Sequence, residues 1–253
     1  MLNQINIQDI VVIAKDAGSA IMQVYMQDFE VEYKQDNSPL TLADKKANEI
    51  IEDGLNQLIV NFPILSEEGR DIPYEERKHW EYFWLIDPLD GTKEFVKRND
   101  EFTVNIALIH KNTPVLGVVY APALDICYWA KQGKGAFKDS EKLPLESKKY
   151  RDTYKIVASR SHMSDKTKIF IDAINTGKEK ELVLSGSSLK ICLVAEGEAD
   201  IYPRLGSTME WDTGAAHIIA CEAGLSLNRY NNSVYSKHLY NKRKLLNDWF
   251  IVQ

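Results

Sequence analysis

Cysteine is scarce and poorly placed for chemistry. Cys127, Cys192 and Cys221 are odd in number, far apart and set in apolar runs, and no CxxC pair occurs. That excludes a disulfide framework, a zinc ribbon or a dithiol redox centre, and it reads all three thiols as buried residues of a reducing compartment. Long apolar runs are missing too. None approaches the roughly 18 residues that span a bilayer, and the opening MLNQINIQDIVVIAKDAG carries charges without the basic start or small-residue cleavage site of an export signal. The expected address is the cytoplasm, with peripheral contact at the inner membrane face left open. Blocks of Lys and Arg are also absent. With 31 basic against 37 acidic residues the formal charge is -6, which argues against duplex nucleic acid as a partner and weakens attachment to anionic lipid. A small anion held by a few local cations stays compatible, and no protein partner is inferable. No GxSxG elbow occurs and none of the five histidines sits in a nucleophile motif, which disfavours a Ser-His-Asp hydrolase.

What is present is a chain of 253 residues, 44% hydrophobic, large enough to bury its own core. Ile7, Ile10, Val11, Ala14, Ala17, Ile21 and Val24 recur at helical steps and predict an amphipathic first helix. A second is predicted from about Thr41 to Val60, with Ala43, Ala47, Ile50, Ile51, Leu55 and Leu58 as its apolar stripe. The pattern then turns to β-branched and aromatic strands at 83–87, 102–110, 115–121 and 126–130, whose short connections imply antiparallel pairing. A charged stretch over 138–152 suggests two lobes meeting near residue 150 within a single unit spanning 1–253. Beyond it strands at 154–159 and 181–185 alternate with helices at 164–175, 187–197 and 213–223, and the tail from Leu225 to Gln253 reads as short strands. The class is α+β.

The acidic residues form the informative pattern. Asp87-Pro88-Leu89-Asp90-Gly91-Thr92 follows an apolar strand directly, placing two carboxylates where a rigid element turns. Hard oxygen donors of this kind suit magnesium, with the Leu89 carbonyl between them, although Asp, Pro and Gly are also what an ordinary turn selects. Glu67-Glu68 ends another apolar stretch and reads equally as a solvated loop. Asp44, three residues after Thr41, matches a capping box, and Asp212 after Trp211 matches a helix cap. Spacing alone does not make these sites converge.

Four segments together carry a resemblance: Asp36-Asn-Ser-Pro-Leu-Thr-Leu-Ala-Asp44, Leu65-Ser-Glu-Glu68, Trp84-Leu-Ile-Asp-Pro-Leu-Asp-Gly-Thr-Lys-Glu-Phe95 and Trp211-Asp-Thr-Gly-Ala-Ala216. In this order and spacing the chain resembles the lithium-sensitive, magnesium-dependent phosphatases that include inositol monophosphatase and the bisphosphate nucleotidases. DGTKEFVKRNDEFTVNIALI and GSSLKICLVAEGEADIYPR resemble the nucleotidase branch, which removes the 3'-phosphate of adenosine 3',5'-bisphosphate in support of sulfur assimilation.

The resemblance implies a layered αβαβα fold and two magnesium ions held by Glu67, Asp87, the Leu89 carbonyl, Asp90 and Asp212. Asp44 and Thr92 would join Glu67 in placing a third ion or the attacking water. Glu67, Leu89, Asp90, Gly91, Thr92 and Asp212 would also line the substrate. A second, non-reacting phosphate requires another anion site, expected at Ser187, Lys190 and Arg204, with His162 in a nucleotide-contacting loop after the strand ending at Ser159. The stretch TKEFVKR is expected to form a short helix whose N–H groups face phosphate. One departure is Gly214, where relatives commonly carry Ala; it is expected to lie a turn inside its helix and to affect stability by up to about 1 kcal/mol. Alternatives with the same metal site are inositol or other sugar phosphates as substrate, and a non-catalytic sensor.

Overall fold

The computed structural model describes residues 1–26, 31–33, 39–146, 152–160, 163–231 and 233–253, with 31–33 and 39–41 as backbone only. The lobe boundary expected near residue 150 lies outside the described residues, as do His162 and the Asp36 end of the first motif.

The N-terminal half begins with α1 (Ile7–Tyr25), a hairpin of β1 (Val31–Tyr33) and β2 (Pro39–Thr41), and α2 (Leu42–Asn56). Asn6 opens α1 by accepting the Gln8 N–H at 3.2 Å. α2 ends at Asn56, four residues earlier than its periodicity predicts. Next come β3 (Ile64–Ser66), α3 (Tyr74–Arg77), β4 (Tyr82–Asp90), the one-turn α4 (Thr92–Val96) and β5 (Thr103–His110). The half closes with β6 (Thr113–Ala121), β7 (Ile126–Lys131), β8 (Ala136–Lys138) and β9 (Glu141–Lys142). The seven strands β3 to β9 form one sheet in sequence order, antiparallel as expected except that β3 runs parallel to β4.

Alternation along the central strands feeds two cores. Trp84, Ile86, Val104, Ile106 and Leu108 pack against Ile10, Ala14, Ile21 and Ile51 of α1 and α2. Phe83, Leu85, Ala107 and Ile109 face the opposite way.

The remainder is β10 (Thr153–Ser159), α5 (Asp165–Ala173), β11 (Glu179–Ser185), α6 (Leu189–Ala195), β12 (Tyr202–Arg204), α7 (Gly214–Glu222), β13 (Leu227–Asn231), β14 (Val234–Lys237) and β15 (Phe250–Val252). β10 and β11 pair in parallel, a second sheet runs β12-β15-β13-β14, and an Ile156–Ile201 bridge links the two. α6 and α7 lie between these strands and the seven-stranded sheet, through Cys192, Ala195, Ala216 and Ile219. Ile171 of α5 packs with Ile156, Ile201 and Ile251 on the far side. The order helix, sheet, helix, sheet, helix is the layered α+β architecture that the resemblance implies. Among the described residues no helix is long and apolar enough to cross a membrane.

α7 sits unusually close to the sheet. A Cβ on Gly117 of β6 would meet the Ala215 carbonyl oxygen at 2.4 Å, and one on Gly214 would meet Leu85 Cδ2 at 3.0 Å and Ala107 Cβ at 3.3 Å. Gly214 is the first residue of α7 rather than a turn inside it, so its role is close packing and not helix propensity alone. Cys127 and Cys192 are buried as expected. Cys221 is exposed, because its position on α7 turns it away from the packed face.

Candidate metal and phosphate site

In a regular strand, residues three apart face opposite sides of the sheet, so Asp87 and Asp90 would point away from each other. β4 avoids this with a bulge. Asp87 pairs with Asn105 and Asp90 with Thr103, so three steps on β4 match two on β5. The extra residue turns both carboxylates to the face occupied by α6 and α7. Leu89 goes the other way, into the core beneath α1 and α2, and its N–H donates to Asp87 Oδ1 at 3.1 Å.

Asp212 arrives from the opposite side, just ahead of α7. It is not a helix cap: Thr213 occupies that position, and Asp212 Oδ2 accepts the Met209 N–H at 2.9 Å. Asp87, Asp90 and Asp212 offer carboxylate oxygens that all lie within 4.8 Å of one another. Burial pushes the Asp87 carboxyl well above the ordinary range, reinforced by the charges of Glu67, Asp90, Asp212 and Asp44. Burial likewise raises Asp90, and burial followed by the Asp90 charge raises Asp212. Three converging carboxylates repel one another unless a cation sits between them. The donor set is all oxygen, which fits a hard divalent cation better than a thiolate- or imidazole-seeking metal.

These residues line a cavity of about 500 Å³ that also takes in Glu67, Leu89, Gly91, Thr92, Thr208, Met209 and Trp211. Glu67 is exposed at its edge. Thr92 Oγ1 donates to the Leu89 carbonyl at 3.4 Å. Gly91 holds φ of +93°, the left-handed backbone that lets the chain turn from β4 into α4. Asp44 is buried in the first turn of α2 and acts on Asp87 through its charge.

A second cavity, lined by Ser187, Ser188, Lys190, Tyr202 and Arg204, shares Asp90, Gly91, Glu94, Thr208 and Asp212 with the first. The Ser187 hydroxyl is buried without a hydrogen-bond partner, and its backbone takes a positive φ of 43°. Lys190 is buried and donates to the Ser187 carbonyl. Burial, aided by the nearby Arg204 charge, pulls its ammonium down to about 8, against the opposing pull of Asp90, Glu94 and Asp212. Arg204 ends β12 and donates to the Ser207 carbonyl at 2.7 Å. The expected residues Ser187, Lys190 and Arg204 are thus brought together beside the acidic cluster.

Some participants have a role that sequence alone does not mark, although three of them lie within the segments that carry the resemblance. Glu94 is buried on the wall between the cavities. Thr103 and Asn105 are buried polar residues in a strand otherwise read as apolar; besides the segment 90–109 they belong to, their signal in the sequence is that they stand two apart, on one face of a strand. Glu210, fully buried, accepts N–H bonds from Asn241 and Lys242 and so anchors the segment that presents Asp212.

A layered α+β fold with an oxygen-rich centre at a bulged strand end defines a class of divalent-cation proteins. Residues 3–248 match the inositol monophosphatase family, and the chain belongs to that family. It is 50% identical over 217 residues to the 3'(2'),5'-bisphosphate nucleotidase CysQ of Salmonella typhimurium, covering 84% of this chain and 85% of that protein. The CysQ of Escherichia coli K12 is 48% identical over the same length. Among solved structures, CysQ from Bacteroides thetaiotaomicron superposes with a TM-score of 0.88 at 45% identity, covering 99% of this chain and 97% of that one.

Proposed function

We propose that this protein is a magnesium-dependent 3'(2'),5'-bisphosphate nucleotidase that hydrolyses adenosine 3',5'-bisphosphate to AMP and phosphate, a step serving sulfur assimilation. The observation that carries this reading is the shared wall between an acidic cavity and a cationic one: Asp90, Gly91, Glu94, Thr208 and Asp212 border both. A substrate with two phosphates needs two such seats side by side. The similarity to proteins named as bisphosphate nucleotidases supports the same substrate.

Glu67, Asp87, the Leu89 carbonyl, Asp90 and Asp212 would hold two magnesium ions, with Asp44 and Thr92 beside a third position. Bound there, the ions supply charge neutralisation on the phosphoryl oxygens and an acidified water. Side chains alone would leave the cavity strongly negative and hostile to phosphate, so an absolute metal requirement follows. The Thr92 hydroxyl, oriented by the Leu89 carbonyl, joins Glu67 and Asp44 in directing the attacking water. Gly91 allows close approach of backbone to the reacting phosphate. Ser187, Lys190 and Arg204 seat the other phosphate, where the unpaired Ser187 hydroxyl gains an acceptor. His162 completes the nucleotide side in this reading. The whole chain acts as one catalytic unit in two lobes.

The test is phosphate release from adenosine 3',5'-bisphosphate, AMP and inositol 1-phosphate, each with magnesium and with chelator. Magnesium-dependent release from the bisphosphate alone is expected. Faster release from inositol 1-phosphate would retain the metal chemistry and reject the second phosphate seat. Binding of the bisphosphate with no release from any substrate would instead mark a sensor.

A further inference from the structure

β5 carries two polar side chains on a face that is otherwise apolar. Thr103 and Asn105 are 0% and 1% exposed and share their face with Ala107 and Ile109. A buried amide without partners costs a few kcal/mol, roughly 1–3 by mutational measure, so these residues must be bonded. Their bonds form a single chain. Asn105 Nδ2 donates to Asp90 Oδ2 at 3.4 Å, while Asn105 Oδ1 accepts from Ser188 Oγ at 2.7 Å and Thr103 Oγ1 at 3.2 Å. The Thr103 and Ser188 hydroxyls lie 2.8 Å apart. The Ser188 backbone N–H donates to Asp90 as well.

Ser188 stands at the start of α6, yet its hydroxyl makes no capping bond to that helix. Its bonding capacity is spent on Asn105 and Thr103. The turn it belongs to, Gly186 to Lys190, contains three of the residues that line the cationic cavity, Ser187, Ser188 and Lys190. That turn is also packed hard against the α4 end: a Cβ on Gly186 would meet Glu94 Cγ at 2.7 Å and the Glu101 carbonyl at 2.8 Å.

We propose that Asn105 is a positioning residue that locks the Asp90 carboxylate and the Ser187–Lys190 turn into one rigid unit, fixing the spacing between the reacting and non-reacting phosphates. The spacing part of this rests on the bisphosphate reading above; the lock on Asp90 does not. The amide is directional. The Ser188 hydroxyl donating to Oδ1 leaves Nδ2 to face the carboxylate, which needs a donor and rejects an acceptor. Partners that orient a metal-binding side chain typically account for 10–100-fold in metal affinity or activity.

The test titrates magnesium calorimetrically into the protein without substrate and measures kcat and KM for adenosine 3',5'-bisphosphate. Asn105→Ala is expected to weaken magnesium binding about 10–100-fold and to lower kcat in similar proportion. Asn105→Ser, too short to reach Asp90, should do the same and serves if the alanine variant folds poorly. Ser188→Ala leaves the Asn105–Asp90 bond in place, so its main effect should be a raised KM for the bisphosphate. Combined with Asn105→Ala it should cost less than it does alone, since the chain is already cut. Magnesium affinity within about threefold of the parent in both Asn105 variants, or strictly additive losses, would overturn the lock. Silence of the parent on the bisphosphate, alongside lost magnesium affinity in Asn105→Ala, would overturn the nucleotidase reading while the lock on Asp90 stands.

Discussion

The two sides of the acidic centre are held in place by different means. Asp87 and Asp90 belong to β4, the strand between β3 and β5, and their direction follows from backbone register and one bulge. Asp212 belongs to a connection, and what holds it is a buried web of side chains drawn from distant segments. Glu210 accepts from the Asn241 and Lys242 N–H groups at 2.7 and 3.0 Å and from Lys242 Nζ at 2.6 Å. Arg77, itself buried, donates to Asn241 Oδ1 and to the carbonyls of Lys242 and Arg243. Tyr240 bridges His217 and Thr213. A ladder survives the loss of any one side chain, whereas a web of buried polar groups fails when one member leaves others unsatisfied. The sheet side should therefore yield mutants that fold and do nothing, and the web side mutants that fold badly.

The largest effect belongs to the sheet side. Asp90→Asn keeps the shape of the side chain and removes one of three crowded charges, so it should fold as well as the parent without metal. Turnover should fall below about a hundredth, equivalent to more than about 2.7 kcal/mol in activation free energy. A kcat above about a tenth of the parent's would reject Asp90 as a ligand. On the web side, Glu210→Ala removes a fully buried carboxylate and strands the buried Asn241 N–H along with two partly exposed Lys242 donors, and should cost about 3 kcal/mol in denaturant unfolding, the low end for breaking a buried charge pair. A loss under about 1 kcal/mol would mean the web is not what holds this segment.

Legibility from sequence divides along the same line. The sheet side could be read, because β-branched runs followed directly by Asp-Pro-Leu-Asp-Gly announce a strand ending in a turn. Its convergence could not, since the bulge that puts Asp87 and Asp90 on one face is a matter of register with β5. The web side was legible only as Asp212 beside a helix start. Glu210, Arg77 and Asn241 are more than 160 and 30 positions apart in the pairs that matter, separations across which local patterns carry nothing. Asn105 hid for another reason: one polar residue in a strand reads as a solvent-facing position until the layer covering that face is known.

The same division predicts how stability answers to pH. His217 and His238 are buried within the web, and burial pulls them down to about 3 and about 4; Lys237, Lys242 and Arg229 add repulsion. Their folded pKa values lie below the unfolded value of about 6.5, so the unfolded chain binds more protons as pH falls. The stability they support is complete above about pH 6.5 and is lost below it, at up to about 1.4 kcal/mol per histidine for the first unit. The acidic cluster has the opposite sign. Its carboxyls are raised above their unfolded values, so metal-free protein gains stability there as they protonate. Denaturant midpoints from pH 7 to 5 should fall steeply with saturating magnesium, which holds the carboxylates charged, and less steeply in chelator. Parallel curves in the two conditions would deny that the regions oppose each other.

The smallest effects test the joint between them, where α7 carries the Asp212 side onto the sheet. At Gly117 an added methyl meets the Ala215 carbonyl at 2.4 Å, and that backbone atom cannot move aside without shifting the helix. Gly117→Ala should therefore cost about 1–3 kcal/mol, as overpacking does. Because the first turn of α7 adjoins Asp212, it should also raise the magnesium concentration needed for half-maximal activity. At Gly214 the nearest atoms are the ends of Leu85 and Ala107, at 3.0 and 3.3 Å, and Leu85 can rotate. The gain in helix propensity offsets the crowding there, so Gly214→Ala should change stability by less than about 1 kcal/mol. If the two variants cost the same, the helix adjusts as freely at its backbone contact as at its side-chain contact, and the sheet does not fix where Asp212 stands relative to Asp87 and Asp90.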